Sequence, residues 1–238
     1  MLPNFLVIGA AKSATSRLCV LLGRHPDVFL CEPKEPHFFA RDEVFANGMN
    51  WYEGLFEGAA GKKAVGEGST TYTKLPLHPQ SAERIARHLP DARLIYIVRH
   101  PIDRIESDYI EALKGGYAVG ADFNKALREF PHFVESSCYW KQISAYRRLF
   151  PDERILVLFF EDFNADPASV LRRCFVFLGV DPSVNLGPLN ERPTSPKVLT
   201  PTTTFGPRSS ARRGCVQRCG ASSASCPSAC ATASCAAA

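Results

Sequence analysis

Phe5-Leu-Val-Ile-Gly-Ala-Ala-Lys12-Ser-Ala-Thr-Ser16 passes from an apolar run through small residues to a lysine and two hydroxyls. Four apolar residues ending in Gly9-Ala10 read as a buried parallel strand feeding a turn. Residues 15–24 then carry Leu18, Leu21 and Leu22 at helical spacing, with Thr15 or Ser16 at the start. Strand, small-residue turn and helix in succession predict an α/β fold.

The pattern repeats outward. Ala64-Val-Gly-Glu67 reads as a weak strand, Arg93-Leu-Ile-Tyr-Ile-Val98 as a second buried strand and Ile155-Leu-Val-Leu-Phe-Phe160 as a third. Helical periodicity is expected over 51–56, 79–89, 101–114, 123–130, 139–150 and 167–178, and residues 26–39 read as loop. Near-continuous apolar strands separated by helices predict a three-layer parallel sheet covered by helices on both faces.

The 238 residues hold 28 basic and 24 acidic groups, a formal net charge of +4. Four of the arginines, and no acid, lie in residues 201–238, so the first 200 residues are electrically neutral. A basic face for nucleic acid therefore has no compositional support. No apolar run is long enough for a membrane span. The segment Met1-Leu-Pro-Asn-Phe5 lacks the basic start of a secretory signal, and Cys19, Cys31, Cys138 and Cys174 are widely spaced. Reduced thiols and a cytoplasmic location are the expectation.

Two segments carry chemistry. In Gly9-Ala-Ala-Lys12-Ser13-Ala14-Thr15-Ser16, amides at a helix start can point at an anion, with Lys12 and the hydroxyls beside them. The alternative is an ordinary strand–helix turn with a surface lysine. Lysine follows Gly9 by three residues, which is not Walker spacing, and this argues against a kinase or ATPase. Glu161-Asp162 after the third strand read as turn-capping acids or partners of a neighbouring base. In the second segment, Arg99 ends a strand and Ser107 lies two turns into the next helix, a pair suited to a phosphate. The competing reading pairs Arg99 with Asp103 or Glu106.

Together the strand–Lys-x-x-Thr-Ser–helix and strand–Val-Arg-x-Pro–helix–Ser segments resemble the two cofactor signatures of sulfotransferases that use 3′-phosphoadenosine 5′-phosphosulfate (PAPS). Lys34-Glu-Pro-His-Phe-Phe39 is similar to a stretch of the heparan-sulfate-type and related bacterial members. Gly66-Glu-Gly-Ser-Thr-Thr-Tyr72 and Leu158-Phe-Phe-Glu-Asp-Phe163 agree with the same family. The resemblance covers residues 3–180 and implies a P-loop-NTPase-like sulfotransferase fold. It also implies sulfuryl transfer to a hydroxyl or amine of a small-molecule, glycan or lipid acceptor, with no metal required.

By the same resemblance, Lys12, Ser13, Ala14, Thr15 and Ser16 hold the 5′-phosphosulfate, and Arg99 and Ser107 the 3′-phosphate. Lys12 stabilises the leaving phosphate and Glu35 is the base, its pKa expected to be raised by partial burial. His37 is the rival base, titrating nearer neutrality, or else packs against Phe38 and Phe39. Lys34 meets the cofactor or acceptor, or is a solvated loop lysine. Glu67 and Ser69 line the acceptor rim or make structural hydrogen bonds.

The chain departs from the family in three places. Ala14 replaces a usual glycine of the phosphate loop, and Gly68 stands where glycosaminoglycan members carry lysine. The usual basic loop after the last helix is replaced by residues 193–204 and a tail of Ala, Ser, Cys, Thr and Arg. The domain is thus expected over 1–192, with 193–238 a disordered tail whose composition resembles out-of-frame translation. An inactive or binding-only relative is the alternative function. The tail's Cys-x3-Cys pairs lack zinc-site spacing and a nearby histidine, and its terminal Cys235-Ala-Ala-Ala238 matches the form of a prenylation box.

Overall fold

The computed structural model describes residues 1–189. Five parallel strands form one sheet in the order β2-β3-β1-β4-β5: β1 Phe5–Gly9, β2 Val28–Leu30, β3 Ala64–Gly68, β4 Arg93–Val98 and β5 Ile155–Phe159. The helices are α1 Thr15–Leu22, α2 Asp42–Phe45, α3 Gly48–Gly54, α4 Ser81–His88, α5 Pro101–Lys114, α6 Phe123–Glu129, α7 His132–Glu135, α8 Tyr139–Arg147, α9 Phe160–Ala165 and α10 Pro167–Leu178. The expected boundary after residue 192 and the tail 193–238 lie outside the described residues.

Alternation along the strands explains the three layers. Phe5 and Val7 of β1 and Ile95 and Ile97 of β4 pack with Leu18, Leu21 and Leu22 of α1 and Val170, Leu171 and Phe175 of α10. Leu6 and Ile8 of β1 and Leu94 and Tyr96 of β4 face the opposite way, onto Tyr52 of α3, Ile85 of α4 and Ile143 and Tyr146 of α8. Both faces of the central strands are dry. Each fully buried Leu, Ile or Phe there contributes roughly 1.5–3 kcal/mol of transfer free energy, which fixes β1 and β4 as the rigid centre.

The edges differ from expectation. Residues 155–160 read as a third buried strand, but β5 closes one edge. Only Leu158 in it is buried, Phe159 is 53% exposed, and Phe160 already opens α9. An apolar run predicts burial on both faces, whereas an edge strand can leave one face open. The opposite edge, β2, is a three-residue strand inside the segment read as loop; pairing with β3 through Val28, Phe29 and Leu30 makes it one. Pro79 precedes α4 by two residues rather than opening it, and the expected helix over 51–56 starts earlier, at Gly48.

The connections leaving β1 and β4 run to opposite sides of the sheet. Ligands of open α/β sheets bind at such a switch, beyond the carboxyl ends of the strands. The loop after β1 and the start of α5 after β4 flank that crevice.

Candidate active site

The loop after β1 is closed tightly against the sheet. Gly9 has φ 150°, and a Cβ on it would lie 2.0 Å from Oγ1 of Thr73, whose hydroxyl donates to the Ile8 carbonyl at 2.9 Å. Ala10 N–H donates to Ile97 O at 2.7 Å, tying the loop to β4. Lys12 and Ala14 adopt φ 68° and 62°, both left-handed. For a residue with a Cβ each such conformation costs about 1–2 kcal/mol, so the turn is held by its surroundings. Ala14 is thus the residue in the position where the family usually has glycine, and it takes glycine's conformation.

Ser13 is fully buried, and its hydroxyl has no hydrogen-bond partner. Among the described residues no backbone carbonyl accepts from the amides of Thr15, Ser16 or Arg17, the first turn of α1. Thr15 is buried and Ser16 exposed. An unpartnered buried hydroxyl beside free amides at a helix start suits an anion. The Lys12 ammonium lies 2.7 Å from Oε2 of Glu111 on α5.

Arg99 leaves β4 toward this loop. Its Nη1 donates to the Lys12 carbonyl at 3.4 Å, its guanidinium lies 4.8 Å from the Phe160 ring centroid, and its buried Nε has no partner. Among the described residues no acid pairs with it, and Asp103 instead meets His100 at 3.5 Å. The alternative ion-pair reading is therefore set aside. Tyr139 donates to the Arg99 carbonyl at 2.8 Å, and Glu161 accepts the His100 amide at 2.9 Å as a turn-capping acid. Ser107 is half-buried one turn before Glu111 on the same helical face, so the face of α5 that reaches Lys12 carries Ser107 too. Arg104, fully buried, fixes this helix by donating to the Ser137 hydroxyl, the Phe133 carbonyl and Asp108.

A second cluster lies after β2 and β3. The Glu35 carboxylate accepts from Lys34 Nζ at 2.6 Å and from Thr70 Oγ1 at 3.2 Å, and His37 Nε2 is 3.7 Å away. Burial pushes the Glu35 pKa up, but the Lys34 charge and hydrogen bond, with help from His37 and Thr70, outweigh it and hold the group below its usual range. This corrects the expected upward shift. Lys34 is correspondingly an ion-pair partner rather than a free surface lysine.

His37 does not titrate near neutrality. Burial lowers its pKa to about 4, against an opposing pull from Glu35. Its Nδ1 is 3.0 Å from Thr71 Oγ1, so its ring serves this polar cluster while Phe38 and Phe39 fill the core behind.

Glu67 and Ser69 are both fully buried and do not reach a rim. The Glu67 carboxyl accepts from Tyr72 at 2.5 Å, Ser69 at 2.8 Å and Tyr52 at 3.2 Å. Burial raises its pKa to about 7, above the lowering effect of those hydrogen bonds. Beside it, a Cβ on Gly68 would lie 2.7 Å from Sγ of Cys19. Cys19, Cys31 and Cys174 are buried free thiols, whereas Cys138 is exposed.

Sequence reasoning missed Thr70, Thr71, Tyr52, Tyr72 and Glu111. The hydroxyl run Ser69-Thr-Thr-Tyr72 directly after a strand was a signal for Thr70, Thr71 and Tyr72, and nothing marked Tyr52. The four-residue spacing of Ser107 and Glu111 was a signal for the last. No cluster of three potential metal ligands occurs among the described residues, and no helix there is long and apolar enough to cross a membrane.

A profile of the sulfotransferase family matches residues 55–183. Heparan sulfate glucosamine 3-O-sulfotransferase 6 of Mus musculus is 30% identical over 188 residues, covering 75% of this chain and 52% of that protein. The same organism's 3-O-sulfotransferase 3A1 is 30% identical over 190 residues and 46% of its length, so the chain spans about half of these relatives. The crystal structure of a sulfotransferase from Alicyclobacillus acidocaldarius superposes with a TM-score of 0.69 at 30% identity, over 81% of this chain and 86% of that one. Mouse sulfotransferase SULT7A1, solved with PAP, shares the fold at 19% identity and a TM-score of 0.54, over 77% of this chain and 59% of its own. With the parallel sheet, the loop after β1 and this match over more than half its length, the chain belongs to the sulfotransferase family.

Proposed function

We propose that this chain transfers a sulfuryl group from PAPS to a hydroxyl or amine acceptor, with Glu35 as base and Lys12 neutralising the leaving phosphate. The observation that carries this reading is the buried, unpartnered Ser13 hydroxyl between Lys12 and the free amides of α1. Bound PAPS supplies a sulfuryl group already attached to a phosphate leaving group. The protein's part is placement, charge and proton removal.

Ser13, Thr15 and Ser16, with the amides at Ala14 and beyond, hold the 5′-phosphosulfate. Lys12 exchanges Glu111 for the anion and takes up charge that develops on the leaving oxygen. Arg99 and Ser107 grip the 3′-phosphate, Arg99 with the Nε that has no protein partner. Glu35 is ionised at neutral pH and is ready to accept the acceptor's proton once Lys34 turns from its Oε1. The Glu35 carboxylate and Lys12 come from loops at the same, carboxyl, end of the parallel sheet.

The heparan sulfate enzymes named above support a hydroxyl acceptor, while Gly68 in place of lysine argues for one of different charge than glycosaminoglycan. The test is calorimetry with 3′,5′-adenosine bisphosphate, followed by transfer from labelled PAPS to a panel of small-molecule, glycan and lipid acceptors. Heat without transfer to any acceptor supports a binding-only relative, and no heat rejects both readings.

A further inference from the structure

We propose that Glu67 is a positioning residue, whose buried carboxylate aims the hydroxyls of Ser69 and Tyr72 and so holds the turn carrying Glu35 and His37. The proposal rests on the reading of Glu35 as the base.

A hydroxyl has one hydrogen to give and lone pairs to receive with. Ser69 gives its hydrogen to Glu67 Oε2 at 2.8 Å and receives the His37 amide at 3.1 Å. Tyr72 gives its own to Glu67 Oε1 at 2.5 Å and receives the Phe39 amide at 3.5 Å. Both hydroxyls thus act as relays. Glu67 fixes their direction, and they hold alternate amides of residues 37–39.

The turn needs such a hold. Glu35 and His37 have φ 62° and 57°, left-handed values unfavourable to side chains. Left alone, the segment would relax and carry both functional groups with it. Thr70 and Thr71, which follow Ser69, meet Glu35 Oε2 and His37 Nδ1, so the same strand end supports the side chains as well as the backbone.

An ionised carboxylate accepts from all three of these donors at once. Tyr52, Tyr72 and Ser69 all point hydrogens at Glu67. A proton on the carboxyl would force one hydroxyl to reverse. The titratable groups acting on Glu67 or feeling its charge are Glu35 beside the site, Cys19 of α1, Cys31 after β2, Tyr52 of α3, Tyr72 and Tyr146 of α8. None of these is a cation, and burial accordingly raises the Glu67 pKa to about 7. Reversal of Ser69 or Tyr72 on protonation releases a turn amide, whereas reversal of Tyr52 does not.

The test compares Glu67→Gln and Ser69→Ala with the wild type by three readouts. Calorimetry with 3′,5′-adenosine bisphosphate should agree within about two-fold for all three proteins, because the phosphate loop is untouched. With a working acceptor, kcat should fall at least about ten-fold while acceptor KM moves by less than about three-fold, and the acid limb of kcat near pH 7 should vanish in Glu67→Gln. Independently of activity, the His37 imidazole resonance, assigned with His37→Asn, should move in both variants, and its titration midpoint should rise toward 6.5 as the turn opens.

A folded Glu67→Gln and Ser69→Ala with an unmoved His37 midpoint overturns the proposal. If Glu67→Gln does not fold, Ser69→Ala, which removes only one relay, decides alone. If the wild type transfers no sulfuryl group, the reading of Glu35 as base fails, while the His37 titration still judges the positioning.

Discussion

Lys12 Nζ sits 2.7 Å from Oε2 of Glu111, so the cation of the phosphate loop is held by a carboxylate from α5. An anion arriving at the loop must displace that partner. Glu111 is largely exposed, and pairs of this kind are worth about 0.2–1 kcal/mol. Glu111→Gln should therefore tighten binding of 3′,5′-adenosine bisphosphate by about 1.5- to 5-fold. Weaker binding, measured by calorimetry at matched ionic strength, would show that Glu111 assists the ligand instead.

Ala14 pays a conformational penalty at φ 62° that glycine avoids. Set against glycine's greater freedom when unfolded, Ala14→Gly should raise stability by about 0.5–1 kcal/mol. Urea denaturation gives the answer, and a lower midpoint would mean that the alanine methyl packs better than its backbone suffers.

Arg99 presents a planar fork, stacks against Phe160 and keeps an unpartnered Nε. Lysine reproduces its charge and none of that geometry. Arg99→Lys should weaken 3′,5′-adenosine bisphosphate by about ten-fold or more, yet leave adenosine 5′-phosphosulfate, which lacks the 3′-phosphate, within about two-fold. Equal losses for both ligands would move Arg99 to the other phosphate.

Half-buried His37 and fully buried Glu67 pull stability in opposite directions with pH. The His37 pKa falls from 6.5 to about 4 on folding, so its contribution is complete above 6.5 and is lost as pH drops through that window. The Glu67 pKa rises from 4.5 to about 7, so its contribution is complete below 4.5 and is lost as pH climbs through 7. Where the windows overlap the slopes offset. His37→Asn removes one of them, and its urea midpoint should then decline from pH 4.5 to 7 more steeply than the wild type's. A midpoint that rises over this range would contradict the Glu67 assignment.

The central sheet was legible because β1 and β4 are dry on both sides, which leaves an uninterrupted apolar run in the sequence. β5 carries a similar run but lies at an edge, and position in a sheet leaves no local mark. β2 is a strand only through its register with β3. Lys12 and Arg99 were readable from their places after strands. The environment of Glu35 was not: its lowered pKa comes from Lys34 next door combined with Thr70 thirty-five residues away, and only the fold joins them. Glu67, at the end of a weak strand, reads equally as acceptor rim or as structural hydrogen bonding, because no spacing announces that Tyr52 and Tyr72 will close over it.

The contact between residue 68 and Cys19 has an evolutionary consequence. Any side chain at 68 must first find room where the thiol now lies, 2.7 Å from the missing Cβ. A lineage moving from this chain toward a lysine at that position passes first through a smaller or displaced residue 19. The two sites form an ordered pair of steps: Gly68→Lys alone should fold poorly, and Cys19→Ala should make it tolerable. The room available at position 68 is thus set by a cysteine of α1 and not by the residues around Glu35.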